Sequence, residues 1–279
     1  MAAPDSAAPP EIGRSVEAGG VLTNYHEAGA GAPVILLHGS GPGVSAWANW
    51  RLTVPYLAER LHVFAYDQLG FGYTALPADG RYGLERWVAH LLAFMQAVGV
   101  ARAHLVGNSM GASVALAAAV THPEVVDRLV LMGPTGVRFP LTEGLDATWG
   151  YTPSVANMRR LLDVFAYDRG LVTDELAELR YRASMRPGMQ EAFASMFLAP
   201  RQQGVDALAA YEDRLPTIRA RTLLIHGRED RVVPLATSLR LLELLDDAQL
   251  HVFGRCGHWT QIEHTAAFNR LVRDFLTEP

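Results

Sequence analysis

A serine hydroxyl becomes a strong nucleophile only when a base takes its proton and nearby donors face the charge that follows. This chain carries residues spaced to do both. Ser109 lies in Gly107-Asn108-Ser109-Met110-Gly111. A serine at the tip of a sharp strand-to-helix bend needs small flanking residues, because its backbone is strained and strand and helix must approach closely. The helix N-terminus behind it favours developing negative charge. In chains of this kind an acid and then a histidine follow the serine. His258, in Gly254-Arg255-Cys256-Gly257-His258-Trp259, is the base that this order selects. His251 falls inside a strand-like run and His264 at the last helix, where packing or a surface position explains them. Asp230, in His226-Gly227-Arg228-Glu229-Asp230, is the acid expected to orient the imidazole. Glu229 is the competing carboxylate and is expected to face solvent. Leu37-His38-Gly39-Ser40-Gly41-Pro42-Gly43 gives the oxyanion side, with the main-chain amides of Ser40 and Met110 as donors. Each such donor contributes about 3–4 kcal/mol to a transition state. His38 reads as a structural hydrogen-bonding residue beside that loop.

The elements that must hold these residues are legible as short apolar runs closed by glycines: 34–38, 63–66, 104–106, 129–132, 222–226 and 250–253. Such runs are strands of a buried parallel sheet. Helical periodicity fills 84–98, 112–122, 235–245 and 265–276. Alternating strands and helices predict an α/β fold, a mostly parallel doubly wound sheet. One or two antiparallel strands are expected earlier, around 14–17 and 21–27. The alternation stops between residues 134 and 216, where helices are expected at 157–165, 174–185 and 190–196. That stretch reads as a helical cap. The core is then built from two segments, 1–133 and 217–279, with the cap at 134–216 between them and about the first ten residues disordered.

Composition removes other chemistries. All 24 Lys+Arg residues are arginine, so Schiff-base, pyridoxal phosphate and Walker-type phosphate mechanisms are excluded, and arginine is the only permanent cation for an anionic substrate. A net charge of −5 argues against nucleic acid. No run of ~18 apolar residues points to a membrane span, and the N-terminus lacks a secretory signal, so a cytoplasmic location is expected. One cysteine, Cys256, excludes an internal disulfide; it reads as a buried, inert thiol.

Several segments go further than the serine motif. Ser40-Gly-Pro-Gly-Val-Ser-Ala-Trp-Ala-Asn-Trp, Gly107-Asn-Ser-Met-Gly, Gly144-Leu-Asp-Ala-Thr-Trp-Gly-Tyr and Gly257-His-Trp-Thr-Gln-Ile-Glu-His resemble the meta-cleavage product hydrolases, carbon–carbon bond hydrolases of the α/β-hydrolase fold. The similarity runs from about Gly29 to the C-terminus and leans toward the monocyclic, 2-hydroxymuconic semialdehyde branch. The resemblance implies a dienoate substrate, a vinylogous 1,5-diketone cleaved to 2-hydroxypenta-2,4-dienoate and a small acid. It implies Arg180 as the carboxylate-binding cation, with Arg182 and Arg186 the alternatives, expected on a solvated helix face. Asn49 and Asn108 match its polar substrate contacts and Trp259 its aromatic wall; Phe165 either lines the apolar side or packs. His258 would shuttle the proton that ketonises the dienol, and Ser109 or a water it assists would attack the distal carbonyl. Neither a metal nor an organic cofactor is implied, and homo-oligomers are expected by analogy. Ala112 departs from the glycine common at its place, which would tighten helix–strand packing. The size of the distal acyl group stays open: formyl, acetyl, branched alkyl acyl or benzoyl. A carboxylesterase of the same fold and a non-catalytic ligand-binding receptor are the other readings; dehalogenases and epoxide hydrolases need an aspartate where Ser109 stands.

Overall fold

The computed structural model describes residues 10–278. The expectation for residues 1–9 lies outside the described residues. β-branched and leucine-rich runs form β1 (Arg14–Ala18), β2 (Val21–Ala28), β3 (Ala32–Leu37), β4 (Leu61–Tyr66), β5 (Ala103–Asn108), β6 (Val126–Met132), β7 (Thr222–Gly227) and β8 (Ala248–Phe253). They make one eight-stranded sheet in the order β1-β2-β4-β3-β5-β6-β7-β8. β1 and β2 pair antiparallel and β2 joins β4 antiparallel; every later pairing is parallel. The sheet expected from the apolar runs is the sheet that forms.

Helices cover both faces. α1 (Ala46–Trp50), α2 (Val54–Leu57), α3 (Leu84–Ala97) and α4 (Met110–Thr121) precede β6. Five follow it, α5 (Glu143–Trp149), α6 (Val155–Phe165), α7 (Asp174–Ser184), α8 (Met189–Met196) and α9 (Gln202–Leu208), before the chain returns to the sheet. α10 (Ala236–Leu244), α11 (Thr260–Glu263) and α12 (Thr265–Thr277) complete it. The two-residue period of a strand sorts its side chains onto two cores. Val34 and Leu36 pack with α1, α2 and α12 residues such as Trp50, Leu57 and Phe268. Ile35 and Leu37 face the other way, into the larger core of Phe94, Val114 and Leu116. That core runs on through Leu145, Trp149, Leu161 and Leu162, so the helices between β6 and β7 share it with the sheet rather than burying a separate one.

Candidate active site

β5 ends at Asn108 and α4 begins at Met110, leaving Ser109 between them at φ 53° and ψ −117°. A non-glycine residue there costs on the order of 1–3 kcal/mol and must be held by its surroundings. Its amide donates to the Met132 carbonyl at 2.9 Å, and its carbonyl accepts from the Ala112 amide at 2.9 Å and Thr135 Oγ1 at 3.0 Å. The flanking glycines are needed for contact. A Cβ on Gly107 would sit 2.7 Å from Ala112 Cα, and one on Gly111 would sit 2.4 Å from the Leu37 carbonyl oxygen.

The acid and the base come from the two loops that follow β7 and β8. His258 Nδ1 donates to Asp230 Oδ2 at 2.6 Å, while Asp230 Oδ1 accepts the amides of Val232 and Val233 at 2.8 and 3.0 Å. With Nδ1 so engaged, Nε2 is the free, basic nitrogen. Both side chains are almost fully buried, 5% and 1% exposed. Burial alone would raise the Asp230 carboxyl, but the His258 and His226 rings beside it hold it well below the usual carboxylate range. His226 was not singled out by sequence; its Nε2 is 3.5 Å from Asp230 Oδ2 and 3.0 Å from the Val233 carbonyl, with Nδ1 on Ser238 Oγ at 2.7 Å. Among the described residues the Ser109 hydroxyl makes no hydrogen bond to His258, although both line one cavity. In ligand-free sites such bonds are commonly loose and tighten around substrate.

The neighbouring candidates sort clearly. Glu229 keeps a partly exposed side chain, 27% accessible, that accepts the Cys256 amide at 3.0 Å and pairs with Arg228. The Cys256 amide bond and Arg228, working against burial, lower its carboxyl. His251 is exposed and His264 stacks on Phe253. The Cys256 thiol is buried, and burial pushes it far above the usual thiol range. His38 is locked as one neutral tautomer, Nδ1 donating to the Gly39 carbonyl at 2.8 Å and Nε2 accepting from the Gln68 amide at 3.0 Å. Burial lowers it to about 4.

Ser109 opens into a cavity of about 600 Å³ lined also by Ser40, Asn49, Asn108, Phe165, Arg180, His258 and Trp259. Asp230 and Met110 stand behind its wall. The Ser40 and Met110 amides donate to no acceptor among the described residues. Asn108 Nδ2 leans on the Met132 carbonyl at 3.3 Å. Phe165, from the end of α6, stacks on both His258 and Trp259, with ring centroids 5.9 and 5.5 Å apart. Arg180, from α7, makes no ion pair among the described residues, and its Nε is buried without a partner. Burial lowers it to about 10, still cationic at neutral pH. Asn49 Nδ2 and Gln261 Oε1, on the same cavity, are equally unpartnered. Arg182 pairs with Glu178 on an exposed face. Arg186, by contrast, is not on a solvated face: it donates to the Gly72 carbonyl and lies over the Tyr73 ring, 3.6 Å to its centroid. A flat guanidinium gains more from a carbonyl and an aromatic face than from water alone.

Sequence reasoning missed three further neighbours of the site. Arg51 and Gln261 line the cavity, and Trp149 Nε1 donates to Ser40 Oγ at 3.0 Å. Ser45, whose hydroxyl caps α1 by accepting from Ala48 N, was the signal that would have placed a helix under Asn49 and Arg51.

A strained serine between strand and helix, an acid and a histidine on the next two strand ends, and this strand order define a class, and residues 32–265 match the α/β-hydrolase fold family model. The chain belongs to that family. Within it, the chain is a member of the meta-cleavage product hydrolases, as its relatives make plain. It is 60% identical over 269 residues to the 2-hydroxymuconate semialdehyde hydrolase of Pseudomonas sp. (strain CF600), covering 96% of this chain and 95% of that protein. It is 61% identical over 266 residues to the 2-hydroxy-6-oxo-2,4-heptadienoate hydrolase of Pseudomonas putida, covering 95% and 96%. Among solved structures it matches the meta-cleavage product hydrolase of Pseudomonas fluorescens IP01, a serine-to-alanine mutant complexed with acetates, at 60% identity and a TM-score of 0.94, covering 96% of this chain and 98% of that one.

Proposed function

We propose that this chain is a serine-type carbon–carbon bond hydrolase acting on a 2-hydroxy-6-oxo-dienoate, 2-hydroxymuconic semialdehyde or its 6-methyl analogue, in aromatic-compound degradation. The observation that carries the reading is a half-buried Arg180 on the same cavity as Ser109, its Nε buried without a partner and the side chain in no ion pair among the described residues. An unpaired cation of this kind is costly unless a ligand anion completes it, and a plain ester substrate offers none. The similarity to hydrolases of two such dienoates supports the same substrate class. Residues 134–216 serve as a cap domain that brings Arg180 and Phe165 to the nucleophile.

In this reading the substrate carboxylate lies on Arg180 and its 2-oxygen end on Asn49 and Asn108. The dienol first becomes its keto tautomer, with His258 moving the proton to the carbon that will leave. Arg180 and the two asparagines stabilise the electron density drawn toward the 2-oxygen. Ser109, directly or through a water that it polarises, then attacks the distal carbonyl while His258 takes the proton and Asp230 holds the imidazole. The Ser40 and Met110 amides receive the oxyanion. The C–C bond breaks, one water is consumed, and 2-hydroxypenta-2,4-dienoate leaves with formate or acetate. The single cysteine suits a cytoplasmic location, and among the described residues no helix is long and apolar enough to cross a membrane. A homo-oligomeric state belongs to the same reading and is measured by light scattering.

Loss of the yellow dienoate absorbance is the assay. Ser109→Ala is expected to abolish turnover, and Arg180→Ala to lower kcat/KM by about 10²-fold or more, as expected for leaving a buried charge unmatched. Aryl-ester hydrolysis by Arg180→Ala should change less than about threefold, since no anion is bound there. An enzyme that cleaves esters quickly and ignores the dienoate would instead be a carboxylesterase.

A further inference from the structure

We propose that Glu263 is a positioning residue that clamps the end of α6 to the His258 loop, so that seating of the helices between β6 and β7 sets the place of the base. The inference rests on the hydrolase reading above and adds a residue to it. Glu263, on α11, gathers three main-chain donors from two distant segments. Its Oε1 accepts the Gly257 amide at 2.7 Å, one residue before His258. Its Oε2 accepts the amides of Tyr167 and Asp168 at 2.8 and 2.9 Å, in the turn that leaves α6.

These bonds belong to a wider junction. A helix leaves its last carbonyls without intrahelical donors. At the end of α6 the His258 amide takes the Phe165 carbonyl at 2.7 Å, and Arg231 donates to the carbonyls of Asp163 and Ala166. The loops that carry the acid and the base therefore supply the missing donors of one helix end. Arg231 and the His258 amide bind its acceptors; Glu263 binds the Tyr167 and Asp168 amides that follow it. A carboxylate accepting three amides forms charge-assisted bonds. Removing it frees the Gly257 amide and the turn after α6 together. Asn108 ends β5 with its side chain on the Met132 carbonyl and takes no part in this junction, so some of the substrate contacts stay in place while the base is loosened.

The test compares wild type, Glu263→Gln and Glu263→Ala by dienoate kinetics and by amide hydrogen exchange at Gly257, Tyr167 and Asp168. The alanine variant is expected to lower kcat about 10- to 100-fold, the scale of a misplaced catalytic group, with KM moving less than about threefold. Glu263→Gln, which keeps one acceptor oxygen, should fall between, and exchange at all three amides should quicken together in the alanine variant. Unchanged kcat in both variants, a change confined to KM, or unaltered exchange would overturn the proposal. If Glu263→Ala does not fold, Glu263→Gln decides alone by the same readings. Failure of the wild type to turn over the dienoate would sink the functional reading, while the exchange data would still judge the clamp.

Discussion

At Gly133 the backbone turns with φ 49°, directly after the Met132 carbonyl that receives the Ser109 amide. A Cβ there would lie 3.0 Å from His258 Nδ1 and 3.3 Å from Asp230 Oδ2. Glycine is thus required twice, by conformation and by the room that the acid–base pair occupies. Gly133→Ala should lower kcat about 10- to 100-fold by pushing the imidazole off its line, while the cost in stability stays at about 1–2 kcal/mol, near that of one strained residue. Stopped-flow kinetics and a thermal melt of the same preparation separate the two; an unchanged kcat would mean that the ring tolerates the shift. Residues such as Ser109, His258 and Asp230 could be picked out beforehand because their side-chain types announce a chemistry and their chain order is constrained. Gly133, Gln261 and Glu263 could not, because what they touch is main chain or rings from far along the sequence, which no local pattern records.

Secondary structure was readable where an apolar run or a helical stretch is long enough to register. The six parallel strands and α3, α4, α10 and α12 follow from apolar runs, helical pattern and glycine stops, with ends displaced by at most three residues. α1, α2, α5, α9 and α11 were not anticipated, being only four to seven residues long, too short to show a repeat. Two of them carry a cap that marks their start: the Ser45 hydroxyl accepts from the Ala48 amide at α1, and the Thr142 hydroxyl from the Leu145 amide at α5. α5 matters because it ends in Trp149, stacked on Phe197 at 4.3 Å and 3° while its indole N–H reaches Ser40. Through that bond a helix beyond β6 touches the loop expected to bear an oxyanion donor. Trp149→Phe keeps an aromatic ring on Phe197 and deletes the donor. Its expected effect is a kcat lower by about 3- to 10-fold, the worth of roughly one neutral hydrogen bond, with little change in KM. A variant as fast as wild type would show that the Ser40 loop holds itself.

Across the molecule, buried titratable groups fix how stability answers to pH. Burial lowers both His38 and His90 to about 4. The native state keeps them neutral while the unfolded chain takes up protons near 6.5, so their contribution is complete above about 6.5 and is lost as pH falls through about 4. Asp67 works the other way. Burial, against the bonds it accepts from Tyr73, Ala46 and Asn24, raises it to about 6, so its contribution is full below about 3.8 and lost as pH rises through 6. Two histidines outweigh one carboxylate, and lowered His26 and His104 act in the same sense. The urea midpoint should therefore fall between pH 7 and pH 4.5, each of the two histidines costing up to about 3 kcal/mol once protonated. A flat or rising midpoint would show that they are not held neutral. Protonation of His38 would also break its bond from the Gln68 amide and disturb the neighbouring Gly39–Ser40 turn.

β6 and β7 are hydrogen-bonded neighbours, yet Met132 and Thr222 are parted in the chain by all five helices from α5 to α9. The serine precedes that detour, and the acid and histidine lie beyond it. A ribosome making this protein from its N-terminus releases the proposed nucleophile long before the groups proposed to arm it. On the proposed mechanism the unfinished polypeptide is chemically mute, and reactivity waits for the last two strands to dock against the edge that β6 leaves open.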